Sequence, residues 1–265
     1  MVLSPEFSFS TIPDSGTPVD FGIDFCPRKM SAPHADGTMK TLTTNRRESA
    51  IDLGVALGVV LVSLRCIPAL TAVFRHLSTL AAVLMLAAFQ FGSEGLVPLI
   101  LMALRGERFS DYGFNRRNLG KSIALAVCLV VVYDLALSLQ AGKWIWVPLR
   151  RHNAVRISFA AGFPLSLVGL VVVIATWGFF EAFFGVFVAK KLNQVVGHVG
   201  TGWLAPGAWG FALLNGSLHA AIGQGVAGFL TSFASGYAIA VIPAVTANAW
   251  GSSLFQIATN AVGGL

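Results

Sequence analysis

Polar side chains suited to acid–base chemistry stand on three separate apolar segments in the last third of the chain. Glu181 is the only acidic residue in this part of the sequence. His219 follows Asn215 by four residues, a spacing that places both side chains on one face of a helix. Gln256 and Asn260 have the same spacing. A carboxylate beside an imidazole can deprotonate a bound water, and neighbouring amides can donate hydrogen bonds to an oxyanion.

The bilayer offers polar groups no partner, so the polar faces of these three segments are expected to point at one another. The members of this predicted site are Glu181, His219, Asn215, Gln256 and Asn260. The alternative is that the same groups only hold the helices together by hydrogen bonds. We expect no cofactor. A metal between Glu181 and His219 stays open, although one carboxylate and one imidazole without His-Glu-x-x-His spacing make a poor zinc site.

Three further acids lie in or beside apolar segments. Glu94 and Asp134 fall inside predicted spans, where a charged group is costly unless it has a partner. They are interpreted either as hydrogen-bonded packing residues or, together with Glu181, as a proton relay. Asp52 lies at the end of a predicted span and is expected to reach the membrane surface.

The composition excludes several classes of protein. Soluble domains carry about 25% charged residues, whereas this chain of 265 residues has 11% charged and 55% hydrophobic residues and a mean hydropathy of +0.73. A soluble enzyme, a disordered protein and a disulfide-stapled module are therefore excluded. The net charge of +6 is assigned to membrane-flanking loops, so we expect a lipid bilayer and no nucleic acid as partner.

The hydropathy pattern predicts an all-α, polytopic transmembrane bundle of about seven spans within residues 50–265. The predicted spans are 51–73, 78–104, 121–140, 160–191, 204–222, 226–244 and 247–264. Residues 1–49 are rich in Pro, Ser and basic residues, and we expect a disordered basic tail there. The distribution of Lys and Arg favours a cytoplasmic N-terminus in the plasma membrane.

The order of the polar motifs resembles the CPBP family of intramembrane proteases, which includes the type II CAAX prenyl endopeptidases. That family carries Glu-Glu-x-x-x-Arg, Phe-x-x-x-His and His-x-x-x-Asn motifs on separate helices. Glu181, His219 and Asn260 match one position in each motif. In the first motif, Ala182 replaces the second Glu and Val186 replaces the Arg. Asn215 replaces the Phe of the second motif, and Gln256 replaces the His of the third. The resemblance covers a CAAX-protease-like core of about residues 105–265.

The resemblance implies an intramembrane endopeptidase that acts on membrane-embedded or lipidated peptides. Glu181 and His219 would activate the attacking water, and Asn260, with Gln256 beside it, would stabilise the oxyanion. Two alternatives remain open at this point. The replaced motif residues favour a catalytically inactive pseudoprotease that binds membrane peptides, as in bacteriocin immunity, and the three intramembrane acids favour a small proton-coupled transporter.

Overall fold

The structure of the chain is a computed structural model that describes residues 35–74, 76–144, 160–197 and 202–260. All regular secondary structure in these ranges is helical. Residues 1–34 of the predicted disordered tail, 1–49, lie outside the described residues. The described chain is already helical from Ala35, so the first helix begins well before the predicted boundary at residue 50.

Nine α-helices make up the described ranges, and three of the junctions between them are π-helical segments. The α-helices are α1 (Ala35–Phe74), α2 (Thr79–Gln90), α3 (Val97–Arg105), α4 (Leu119–Ala141), α5 (Leu165–Val173), α6 (Glu181–Val196), α7 (Pro206–His219), α8 (Gly225–Thr246) and α9 (Trp250–Thr259). The π-helical segments are Phe91–Leu96, Ile174–Phe180 and Ala220–Gln224.

Within the described residues, five helical stretches are long and apolar enough to cross a membrane. They are Arg46–Leu70, Leu80–Arg105, Leu119–Ala141, Leu165–Val196 and Pro206–Thr246. By length and composition the chain is therefore a multi-pass membrane protein, as predicted. The predicted count of about seven spans is not confirmed, and the predicted last span, 247–264, extends past the described residues.

The fifth stretch is not one straight helix, because the backbone turns at Gly223, where φ is +96°. A positive φ of this size is accessible to glycine at little cost, so the residue suits a reversal of the chain. On either side of it α7 and α8 pack antiparallel. The Asn215 amide donates to Ser232 O at 2.8 Å, and the Tyr237 hydroxyl donates to Trp203 O at 2.6 Å.

Several helix ends meet on one side of the bundle, which we call the basic face. The side chains of Arg105, at the end of α3, and Lys191, near the end of α6, both contact Asp52 on α1. The Asn118 amide, just before α4, donates to Thr246 O at the end of α8. The basic residues of this face are Arg105, Arg108, Arg116, Arg117, Lys190 and Lys191.

A buried ionic network ties the basic face together. Asp52 is fully buried, which corrects the expectation that it reaches the membrane surface. Its carboxylate lies 2.9 Å from Arg105 Nη2 and 3.0 Å from Lys191 Nζ. Lys191 Nζ also lies 3.0 Å from Glu107 Oε1. Two cations and two carboxylates from three segments thus neutralise one another, which is the condition for keeping charges buried.

Tyr112 completes this network through its hydroxyl, which donates to Glu107 Oε2. Burial, and then the hydrogen bond to Glu107, raise the pKa of Tyr112 above its ordinary value. The hydroxyl therefore stays protonated and remains a donor at neutral pH.

Helix α9 begins at the basic face, and Asn260 directly after it contacts Glu181 in the bundle interior. Its ten residues give a length of about 15 Å, roughly half the thickness of the hydrocarbon core. The Gly251 N–H donates to Ser122 Oγ at 2.9 Å, and Ser252 Oγ donates to Ile239 O at 2.7 Å. These bonds hold the N-terminal end of α9 between α4 and α8.

Replacing Gly251 by alanine is expected to lower the free energy of unfolding by about 1–3 kcal/mol, the usual cost of overpacking. A Cβ at this position would collide with the backbone carbonyl of Ser122. Gly120→Ala on α4 is the matched control, since nothing lies within 4 Å of a Cβ there. Thermal unfolding of the two variants in detergent measures the difference, and equal midpoints would contradict the close packing of α9 against α4.

Candidate functional site

Two acids from different membrane-crossing stretches bind the same side-chain amide. Gln90 Nε2 donates to Glu94 Oε2 at 3.0 Å and to Glu181 Oε2 at 3.5 Å. Glu94 lies near the middle of Leu80–Arg105, and Glu181 lies near the middle of Leu165–Val196. The pair is therefore placed deep in the membrane, where each unpartnered charge is costly.

The end of α9 contributes a second amide to Glu181. Asn260 Nδ2 donates to Glu181 Oε2 at 2.7 Å and to Trp177 O at 2.8 Å. Both N–H groups of this amide are engaged, so Asn260 fixes the position of Glu181. Gln256, one turn earlier on α9, also hydrogen-bonds the Glu181 carboxyl.

Both acids lie at interruptions of regular α-helix. Glu94 is within the π-helical segment Phe91–Leu96, and Glu181 directly follows the segment Ile174–Phe180. A π-helical turn shifts the backbone hydrogen bonds, which leaves a carbonyl such as Trp177 O for a side-chain donor. Such turns occur frequently at functional sites, and here two of them flank one carboxyl pair.

The surroundings of the pair are polar but uncharged. Gln90, Glu94, Glu181 and Asn260 are all half-buried, whereas Gln256 is buried. Within the described ranges, neither acid forms an ion pair with Lys, Arg or His. The hydrogen-bond donors to Glu181 are three neutral amides. Neutral donors orient a carboxyl group without forming an ion pair with it. The carboxyl group can therefore gain and lose a proton, as general acid–base catalysis requires.

The structure brings together three of the four predicted catalytic residues. Glu181, Gln256 and Asn260 form one hydrogen-bonded group. Among the described residues, His219 has no hydrogen bond to this group; its Nδ1 lies 3.0 Å from Gln224 Oε1 at the turn between α7 and α8. Asn215 donates to a backbone carbonyl on α8. The role of His219 in activating water stays a prediction.

Sequence reasoning linked Glu94 to Glu181 only as part of a proton relay in the transporter alternative, and it missed Gln90. The signal was present, since Gln90 and Glu94 have the same four-residue spacing as Gln256 and Asn260. Two amide-containing pairs with helical spacing therefore flank Glu181. Their convergence depends on how the helices pack, which the spacing alone does not contain.

Comparisons with known proteins found no match to this chain. No family model, no curated protein and no solved structure matches the chain. The resemblance to the CPBP family therefore stays a prediction. Among the described residues, no group of three or more His, Cys, Asp or Glu side chains is arranged to hold a metal ion.

Replacing Asn260 by leucine is expected to lower the free energy of unfolding by about 1–3 kcal/mol, because one buried and one half-buried acceptor each lose a donor. The acceptors are Trp177 O and Glu181 Oε2. Leu254→Ala is a control on the same helix, at a side chain that is 38% exposed. Thermal unfolding in detergent compares the two, and an Asn260→Leu midpoint equal to wild type would show that the amide does not hold Glu181.

Proposed function

We propose that the chain is an intramembrane hydrolase that cleaves membrane-embedded or lipidated peptides, with Glu181 and Glu94 as its acid–base pair. The observation that carries the proposal is the shared amide of Gln90, which holds two carboxyl groups from different helices side by side. Paired carboxyl groups are a general device for hydrolysis, because one can accept a proton while the other donates one.

In the proposed reaction, Glu181 removes a proton from water while the water oxygen attacks the carbonyl carbon of the substrate. Glu94 then donates a proton to the leaving nitrogen as the carbon–nitrogen bond breaks. Gln256 is the amide that remains for the oxyanion, because both N–H groups of Asn260 are used. Compared with the CPBP-like expectation, Glu94 takes the place of His219, and Asn260 positions the base.

Reconstitution of the purified chain in lipid vesicles tests the proposal. The substrates are a set of transmembrane and prenylated peptides, and mass spectrometry identifies the products. We expect cleavage by the wild type and none by Glu94→Gln/Glu181→Gln. Binding of peptides without cleavage would overturn the hydrolase and favour the pseudoprotease instead.

A proton-coupled transporter is the second candidate, and the end of α9 is the observation that favours it. The C-terminal carbonyls of an α-helix carry partial negative charge, and α9 ends at Thr259, next to the Asn260 that binds Glu181. Membrane transporters place half-helices and acidic residues at their ion sites. A pH-sensitive dye inside the same vesicles measures this function, and proton entry that depends on Glu181 without peptide cleavage would select it.

The orientation that we propose places the basic face toward the cytoplasm of a plasma membrane. Positively charged residues near helix ends favour the cytoplasmic side, and this face carries Arg105, Arg108, Arg116, Arg117, Lys190 and Lys191. Ser110→Cys on this face, in a background without the native cysteines, should react with an impermeant thiol reagent only after the cells are opened.

A further inference from the structure

A cavity of about 340 Å³ opens at the basic face, on the same side as the ionic network. Its apolar wall comes from α6 and α8 and includes Val186 and Ala240. Its polar lining, which we call the rim, includes Arg117 from the loop before α4 and Lys190 from α6. A volume of this size is at the lower end of small-molecule sites.

Neither cation at the rim is held by a close ion pair among the described residues. Lys190 Nζ lies 3.9 Å from Glu107 Oε1, a long ion pair, and 3.9 Å above the centre of the Tyr112 ring. Within the described residues, the guanidinium of Arg117 has no ion-pair partner. Asp111 is the acid of the lining, and its Oδ2 already accepts the backbone N–H of Arg108 at 2.8 Å.

The position of the cavity favours a membrane lipid over a free phosphate as the source of the anion. Its apolar wall belongs to the C-terminal halves of two membrane-crossing stretches, and its cations lie nearer the ends of these stretches, where lipid headgroups are expected. A free phosphate would gain nothing from that wall. We propose that the cavity binds the phosphate headgroup of an anionic membrane lipid, with Arg117 and Lys190 holding the phosphate and the apolar wall contacting the glycerol and upper acyl chain.

Native mass spectrometry of the purified chain in detergent tests this site with phosphatidylglycerol as the probe. Phosphatidylcholine with the same acyl chains tests the need for negative charge, and glycerol phosphate tests the need for the lipid. We expect phosphatidylglycerol to bind at least about tenfold more tightly than phosphatidylcholine, as two charge-assisted hydrogen bonds allow. Arg117→Gln/Lys190→Gln should weaken its binding by a similar factor.

Arg116→Gln is the matched control, because Arg116 neighbours Arg117 but does not line the cavity. It should leave phosphatidylglycerol binding unchanged. Equal losses in the two variants, or equal binding of both lipids, would overturn the site. Competition by glycerol phosphate as strong as by phosphatidylglycerol would overturn the lipid as ligand. If the double variant unfolds, binding is measured with Arg117→Gln alone. This variant should fold, because only the backbone of Arg117 takes part in hydrogen bonds of the described fold.

Discussion

Glu181→Gln should lower the rate of peptide cleavage by about 10²–10⁴-fold, the usual contribution of a general base. Glutamine has the same shape and can still hydrogen-bond Asn260, but it cannot accept the proton of the attacking water. The measurement is the initial rate of product formation in vesicles, with equal amounts of folded protein.

His219→Ala is the matched control for this experiment, since His219 is the residue that the sequence pairs with Glu181. In the structure its ring bonds Gln224 at the turn between α7 and α8. We therefore expect the His219→Ala rate to stay near that of the wild type. A loss as large as that of Glu181→Gln would restore the imidazole as the partner of the base, and full activity of Glu181→Gln would refute the role of the carboxylate.

Lys191→Met is expected to lower the free energy of unfolding by about 3 kcal/mol, the range measured when one partner of a buried ion pair is removed. The Lys191 side chain is 2% exposed and lies 3.0 Å from both Asp52 and Glu107. Its loss leaves Asp52 fully buried with Arg105 as the remaining cation. Chemical or thermal unfolding in detergent measures the change.

Lys190→Met provides the comparison for Lys191, because the two residues are adjacent on α6. The Lys190 side chain is 25% exposed, and its contact with Glu107 is longer, at 3.9 Å. We expect a loss of less than about 1 kcal/mol, typical of exposed pairs. Equal effects of the two substitutions would mean that the ionic network does not hold the helix ends together.

The sequence was sufficient to predict the helical membrane class and three members of the polar group. Apolar runs of spanning length reveal membrane helices directly. The acid at position 181 and the spacing of Gln256 and Asn260 identify polar faces in a region without other acidic residues. These features are local, so they could be read from the order of residues alone.

The partner of Glu181 could not be predicted in this way. Gln90 and Glu94 are separated from Glu181 by about a third of the chain, and only the packing of the helices brings them together. His219 is nearer in sequence and has a more reactive side chain, which made it the more obvious partner. The turn at Gly223 instead leaves its ring beside Gln224.

The number of membrane spans could also not be predicted from the sequence alone. Hydropathy predicts a span over 247–264, and the structure describes only its first part, the helix α9 and Asn260 after it. Its serines and amides pack against neighbouring helices and against Glu181, so its polar content reflects internal contacts.

A double-mutant cycle on stability tests most directly whether Glu94 and Glu181 form one site. The free energy of unfolding is measured for wild type, Glu94→Gln, Glu181→Gln and the double variant. Because both carboxyl groups bind the Gln90 amide, we predict that the two effects differ from additivity by at least about 0.5 kcal/mol. The control cycle pairs Glu181→Gln with Lys190→Met and should be additive. Additivity of Glu94→Gln and Glu181→Gln within about 0.3 kcal/mol would contradict the carboxyl pair.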